Sequence, residues 1–192
     1  MVRGSSEHVG TGSTGKVEVG GIYQFIVNSG VEHTAKSGNV GIRLEVEVLA
    51  GTIDGQAGKK MKNQDFWPQG QTFYDLAAAL GLTNHANGQI FTPEQLAQDR
   101  ADKKAGKPDV EYDFDPEECA GRQFFANVVP ELDENKKPKP DGWPRIGMNI
   151  FSIADERVAK MPANHKNQAM IDEVLGVSDA AESNAEVDPL LA

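Results

Sequence analysis

Residues 21–67 are written in the period of a β-sheet, and that period limits the possible folds more than any other feature of the chain. Ile42, Leu44, Val46 and Val48 alternate with Arg43, Glu45 and Glu47, so a strand over residues 41–50 buries one face and leaves the other wet. The turns on either side are Gly-rich and carry cations: Lys36-Ser37-Gly38-Asn39 before it, Gly55-Gln56-Ala57-Gly58-Lys59-Lys60 after it. A first strand reads over residues 16–28, bulged at Gly20-Gly21, and a third over 59–67, with Met61 and Phe66-Trp67 as its apolar content. The expectation is a small antiparallel β-domain with lysines on its rim.

Helical signals follow. Phe73, Leu76, Ala77 and Leu80 share one helical face, and Gly81 is a natural stop. Thr92-Pro93-Glu94-Gln95 combines an N-cap residue, a proline at the first helical position and Gln at N3. That helix should run to Ala105 and close at Gly106. Strand pattern returns over residues 121–130, with Phe125 and Val129 on one face and Phe124, Ala126 and Val128 on the other, and again over 145–153. A short helix fits residues 167–177. Five strands with helical material between the third and fourth point to a mainly β fold, a five-stranded OB-like antiparallel barrel. The domain plan is a Gly/Ser/Thr-rich leader over 1–15, one domain over 16–166 and an acidic tail over 167–192.

The net charge of −10 argues against a polyanionic partner until its distribution is examined. Six acids and no Lys or Arg lie in residues 168–192, and six more acids lie in 109–118. Outside those stretches 17 acids face 19 bases, so the remainder is slightly basic. The acidity belongs to a tail and a loop. No run approaches ~18 apolar residues, so no span is expected. Residues 1–6 lack the apolar segment of a signal peptide, and the single cysteine, Cys119, cannot form an internal disulfide. The expected location is cytoplasmic, in a bacterium or a phage-infected host.

Catalytic and metal motifs fail on inspection. Gly10-Thr11-Gly12-Ser13-Thr14-Gly15-Lys16 approaches a phosphate loop, but Val17 stands where Ser or Thr is needed and no helix follows. His8, His33, His85 and His165 are scattered, without the spacing of zinc ligands. Asp113-Phe114-Asp115 lacks the glycine and distal glutamate of a calcium loop. Cys119 sits among acids that dull a thiol, and no nucleophile elbow exists. No cofactor, metal or catalytic residue is assigned.

Cations and aromatics on the strands and their loops remain. A cationic groove for phosphates and aromatic faces for bases are what single-stranded nucleic acid requires. The competing interpretation places Tyr23, Phe25 and one of Phe124 and Phe125 in the core, with lysines that only solubilise. Trp67 before Pro68 and Trp143 between Gly142 and Pro144 stand in loop contexts where a core role is less automatic.

The Gly21-x-Tyr23, Lys36-Ser37-Gly38-Asn39, Gly55-x-x-Gly58-Lys59, Ala78-Ala79-Leu80-Gly81-Leu82 and Gly121-Arg122-x-Phe124 signatures, with the Trp143 strand, carry a resemblance over residues 17–153. The chain resembles phage-type single-stranded-DNA-binding proteins with an OB-like core, linked to replication and recombination. It departs from them in the leader before Lys16 and in the acidic stretch 109–118. The resemblance implies sequence-independent coating and protection of single strands, without catalysis. Lys36, Arg43, Lys59, Lys60, Lys62 and Arg122 would then meet phosphates, and Trp67 and Trp143 would stack on bases. Phe124 and Arg145 complete the candidate set. Asp188, Pro189, Leu190 and Leu191 read as an acidic-apolar docking peptide for replication or recombination proteins, against the plainer reading of a solubilising terminus. An oligomer stays open, and no membrane partner is expected. Two other readings compete: a protein-interaction or virion-structural β-domain that ignores DNA, and a metal-dependent enzyme built on the acidic loop.

Overall fold

The computed structural model describes residues 15–108 and 110–177. The leader before Gly15 and the Asp188–Leu191 peptide lie outside the described residues. β1 (Ile22–Thr34), β2 (Val40–Gly51), β3 (Lys60–Phe66), β6 (Gln123–Val129) and β7 (Arg145–Ser152) form one antiparallel sheet in the order β3-β2-β1-β6-β7. Between β3 and β6 come α1 (Gln71–Leu80), a two-residue hairpin of β4 (Thr83–Asn84) and β5 (Gln89–Ile90), and α2 (Pro93–Lys104). A 3-10 turn, Pro116–Cys119, precedes β6; α3 (Glu156–Lys160) and α4 (Gln168–Leu175) follow β7. The fold is therefore mainly β, as expected, with α1, α2 and α4 where the sequence put them and α3 in addition.

Local chemistry explains the boundaries. Thr92 caps α2 through its hydroxyl, which accepts from the Gln95 amide at 3.1 Å. α1 ends at Gly81 in the left-handed region (φ 61°), a conformation open to glycine at no steric cost. The β1–β2 hairpin runs six residues further than expected, to Thr34, because β1 keeps pairing with β2 beyond the reach of β6. The β4–β5 hairpin and α3 carry no sequence period long enough to announce them.

Both faces of the sheet are buried over part of its width. On one face Tyr23, Phe25, Leu44, Val46, Phe124 and Val128 pack with Leu76 and Leu80 of α1, and Phe25 stacks on Phe124 with ring centroids 5.4 Å apart. On the other, Phe125 stacks on Phe151 at 5.5 Å and joins Ile153, Val158 of α3 and Ile171 of α4. Gln24, fully buried there, donates to Gln123 at 2.8 Å and accepts from the Asn167 amide at 2.7 Å, which ties the start of α4 to the sheet. The packed unit therefore extends past the boundary expected at residue 166, through Ile171.

The sheet does not close into a barrel. A bulge interrupts the β2–β3 ladder between Leu44 and Val46, and Asn63 opposite it adopts φ 54°. β3 and β7, at the two ends of the strand order, form no ladder with each other. Side chains bridge the gap instead. Gln64, only 3% exposed, accepts from the Ile146 amide at 2.9 Å and donates to the Lys62 carbonyl at 2.9 Å. The Arg145 guanidinium donates to the Asn63 carbonyl. One buried glutamine thus satisfies backbone groups that would otherwise cost about 1–3 kcal/mol each as orphans.

Candidate nucleic-acid interface

The ten candidate side chains separate into three groups. Three have internal work. Phe124 is fully buried and cannot meet a base without unfolding the core, which corrects its place in the DNA-binding set. Arg122 donates from Nη1 to the carbonyls of Leu80 (2.8 Å) and Gly81 (2.6 Å), and from Nε to Glu118 O (2.9 Å). It neutralises the C-terminal end of α1 rather than a phosphate. Arg43 grips Asp65 with two hydrogen bonds, 2.6 and 2.9 Å, and its Nη2 lies 2.7 Å from Nε2 of His33. Hydrogen bonding to Asp65 raises the Arg43 pKa above its ordinary value.

The exposed face of β2 and β3 is close to charge balance. Arg43 is paired with Asp65, Lys60 lies 3.7 Å from Glu47, and the face also carries Glu45 and Lys62. Trp67 stands at the end of this face, half-buried, its ring 5.7 Å from that of His33. A Cβ on Gly41 would come within 2.6 Å of the Trp67 ring, so the glycine makes room for the indole. Lys36, on the β1–β2 turn, and Lys62, on the β3 edge, are exposed, and among the described residues neither ammonium has a partner.

The third group converges at the other end of β3. Lys59 donates to the Lys16 carbonyl (3.1 Å) and to Gln56 (2.9 Å). Lys16 reaches across to the β6–β7 loop, donating to the carbonyls of Asp141 (2.8 Å) and Gly142 (3.0 Å), with Nζ 5.2 Å from the Trp143 ring centroid. Trp143 is 61% exposed. Its backbone N–H donates to Glu131 at 3.1 Å, and Lys139 donates to the same carboxylate at 2.6 Å. Lys139, then the Trp143 amide, hold Glu131 below the usual carboxylate range. Lys16, Lys59, Glu131 and Lys139 line a recess of about 360 Å³, together with Gly142 and Pro144, the chain neighbours of Trp143. Arg145 anchors the next residues to β3.

This arrangement can do one thing well: offer an aromatic face, held by a clamped loop, with the Lys16 ammonium beside it. Lys59, Trp143 and Arg145 were legible candidates. Lys16 and Glu131 were not, because their partners lie 125 and 12 residues away and no local pattern links them. The opposite expectation for Cys119 holds in direction: its thiol is pushed up to about 12, mainly by burial, with Glu118 and Asp115 adding and Arg122 opposing. Among the described residues no three His, Cys, Asp or Glu side chains gather as a metal site, and no helix is long and apolar enough to cross a membrane. No protein-family model matches the chain, and no curated protein matches it significantly.

Proposed function

We propose that this chain is a non-enzymatic, sequence-independent single-stranded-DNA-binding protein with an OB-type core, serving replication or recombination. The observation that carries the reading is the exposed Trp143 indole on a clamped loop, with the Lys16 ammonium 5.2 Å from its ring centroid and Lys59 and Lys139 lining the neighbouring recess. In OB-type domains the face of strands two and three and the loops joining strands one–two and four–five hold the oligonucleotide. The corresponding places here are the β2–β3 face, the Lys36 turn and the β6–β7 loop. The sheet order, the helix between the third and fourth long strands and the side-chain bridge from β3 to β7 support that core. Phosphates would pass Lys60, Lys62 and Lys139 while a base stacks on Trp143, a contact worth about 1–3 kcal/mol. Within this reading, the acidic-apolar terminus recruits the partner enzymes.

Titration of tryptophan fluorescence with oligo-thymidine at two salt concentrations tests the proposal. Each neutralised phosphate should contribute about 0.7 to the slope of log affinity against log salt. Lys60→Glu/Lys62→Glu should flatten that slope by roughly 1.4 on the same basis. A flat fluorescence signal, or equal affinity for duplex, would sink the reading.

A further inference from the structure

A second recess, of about 620 Å³, opens between α1, the β5–α2 segment and the end of β7. Its residues are not those around Trp143. The volume falls within the ~300–1,000 Å³ typical of ligand sites. Its floor is apolar: Ala78 and Ala79 of α1, Phe91 after β5, and Ile150 of β7. The two alanines make α1 shallow here, which leaves room for an incoming side chain. Ile90, 60% exposed, forms the lip.

The rim is acidic. Asp75, Glu94, Asp155 and Glu156 stand around it, against Arg100 and Arg157. Arg157 is consumed by Asp155, which it grips at 2.7 and 2.8 Å while lying 4.0 Å from the Phe151 ring centroid. Arg100 is tied by its Nε to the Leu96 carbonyl at 3.0 Å. Among the described residues neither Asp75 nor Glu94 is ion-paired; Asp75 accepts only from the neutral Gln71 amide. Glu156 meets Lys160 at 3.3 Å, but both are largely in water, where such pairs are weak.

Two obvious occupants are disfavoured by this charge. A nucleic-acid strand and the chain's own acidic C-terminal stretch would both bring negative charge to a negative rim. We propose that the groove docks a basic amphipathic helix of a partner protein, its apolar side on Ala79, Phe91 and Ile150 and its Lys or Arg side chains against Asp75 and Glu94. This site is separate from the nucleic-acid interface and does not depend on it.

The test is titration of the isotope-labelled full chain with a 14-residue Leu/Lys amphipathic helical peptide, followed by amide chemical shifts. A control peptide of equal charge has every Leu replaced by Ser. The expected result is perturbation at Ala79, Ile90 and Glu94 by the first peptide only. Ile90→Ser and Asp75→Asn/Glu94→Gln should each weaken binding at least about five-fold. Both variants should keep the wild-type melting profile and oligo-thymidine affinity, because their side chains lie outside the Trp143 site. Equal binding of the Leu-free peptide, shifts confined to the acidic terminus, or an unchanged affinity for Ile90→Ser would overturn the proposal. So would shifts at the groove that depend on protein concentration alone, since a second copy would then be the occupant.

Discussion

Trp67 and Trp143 each precede a proline and each stand among cations, yet the molecule uses them in opposite ways. Trp67 leans on the Gly41 backbone and the His33 ring, and Arg43, which meets that histidine, is spent on Asp65. Trp143 rides on a loop whose own hydrogen bonds hold it outward, with Lys16 beside its ring. At the first end the cation has an acidic partner on the neighbouring strand. At the second the lysines are bonded to backbone carbonyls, an amide or a shared Glu131, and much of their charge remains uncancelled. The difference teaches that an aromatic next to a cation stays open to solvent only where the fold leaves both partly unsatisfied.

Tryptophan deletion breaks this comparison most sharply. Trp67→Ala should cost about 2–3 kcal/mol of stability by urea unfolding, somewhat below a fully buried ring. Trp143→Ala should change stability by less than about 0.5 kcal/mol. For binding the order reverses. Trp143→Ala should lose roughly 5- to 150-fold in oligo-thymidine affinity, equivalent to ~1–3 kcal/mol. In a Trp67→Phe background the remaining Trp143 emission should report nearly all of the quenching. If Trp67 carries the signal instead, the two ends have been assigned the wrong way round.

Smaller effects refine the picture. Arg43→Met should lower stability by roughly 0.5–1 kcal/mol, as expected for a partly exposed pair, and leave the salt slope of binding unchanged. A reduced slope would return Arg43 to the phosphate-binding set. The smallest effect concerns Glu131. Its carboxyl titrates below its ordinary range in the folded protein, so its contribution is complete above the unfolded pKa and is lost as pH falls through the lower folded value. Acidification through that window should loosen the β6–β7 loop and shift Trp143 emission. Glu131→Gln should remove this pH step while sparing emission from Trp67.

Much of the scaffold was legible because its signals are local. The alternation from Ile42 to Val48, the Thr92 cap with Pro93, and Gly81 after Leu80 each act within one strand or one helical turn, and each appears where expected. The site was legible only in part. Arg122, Arg43 and Lys59 look alike as isolated cations, and nothing near them in the chain says which will meet a helix end, a carboxylate or solvent. Phe124 was ambiguous for a related reason: both faces of β6 are apolar, and only the packing of α3 and α4 over Phe125 shows that neither face is free.

On its own, the sequence determined a mainly β sheet, the helices between its third and fourth long strands, and the concentration of acid in residues 109–118 and 168–192. These follow from period, capping and composition, which need no distant partner. The tertiary structure alone decided that the sheet stays open, that Gln64 bridges its edges, and that the exposed aromatic lies at the Trp143 end. Those outcomes depend on contacts no local pattern announces, from Trp143 with Glu131, 12 residues apart, to Gln64 with Ile146, 82 apart, and Lys16 with Gly142, 126 apart. Hydrogen bonding and charge neutralisation select such partners only after the strands have brought them within reach.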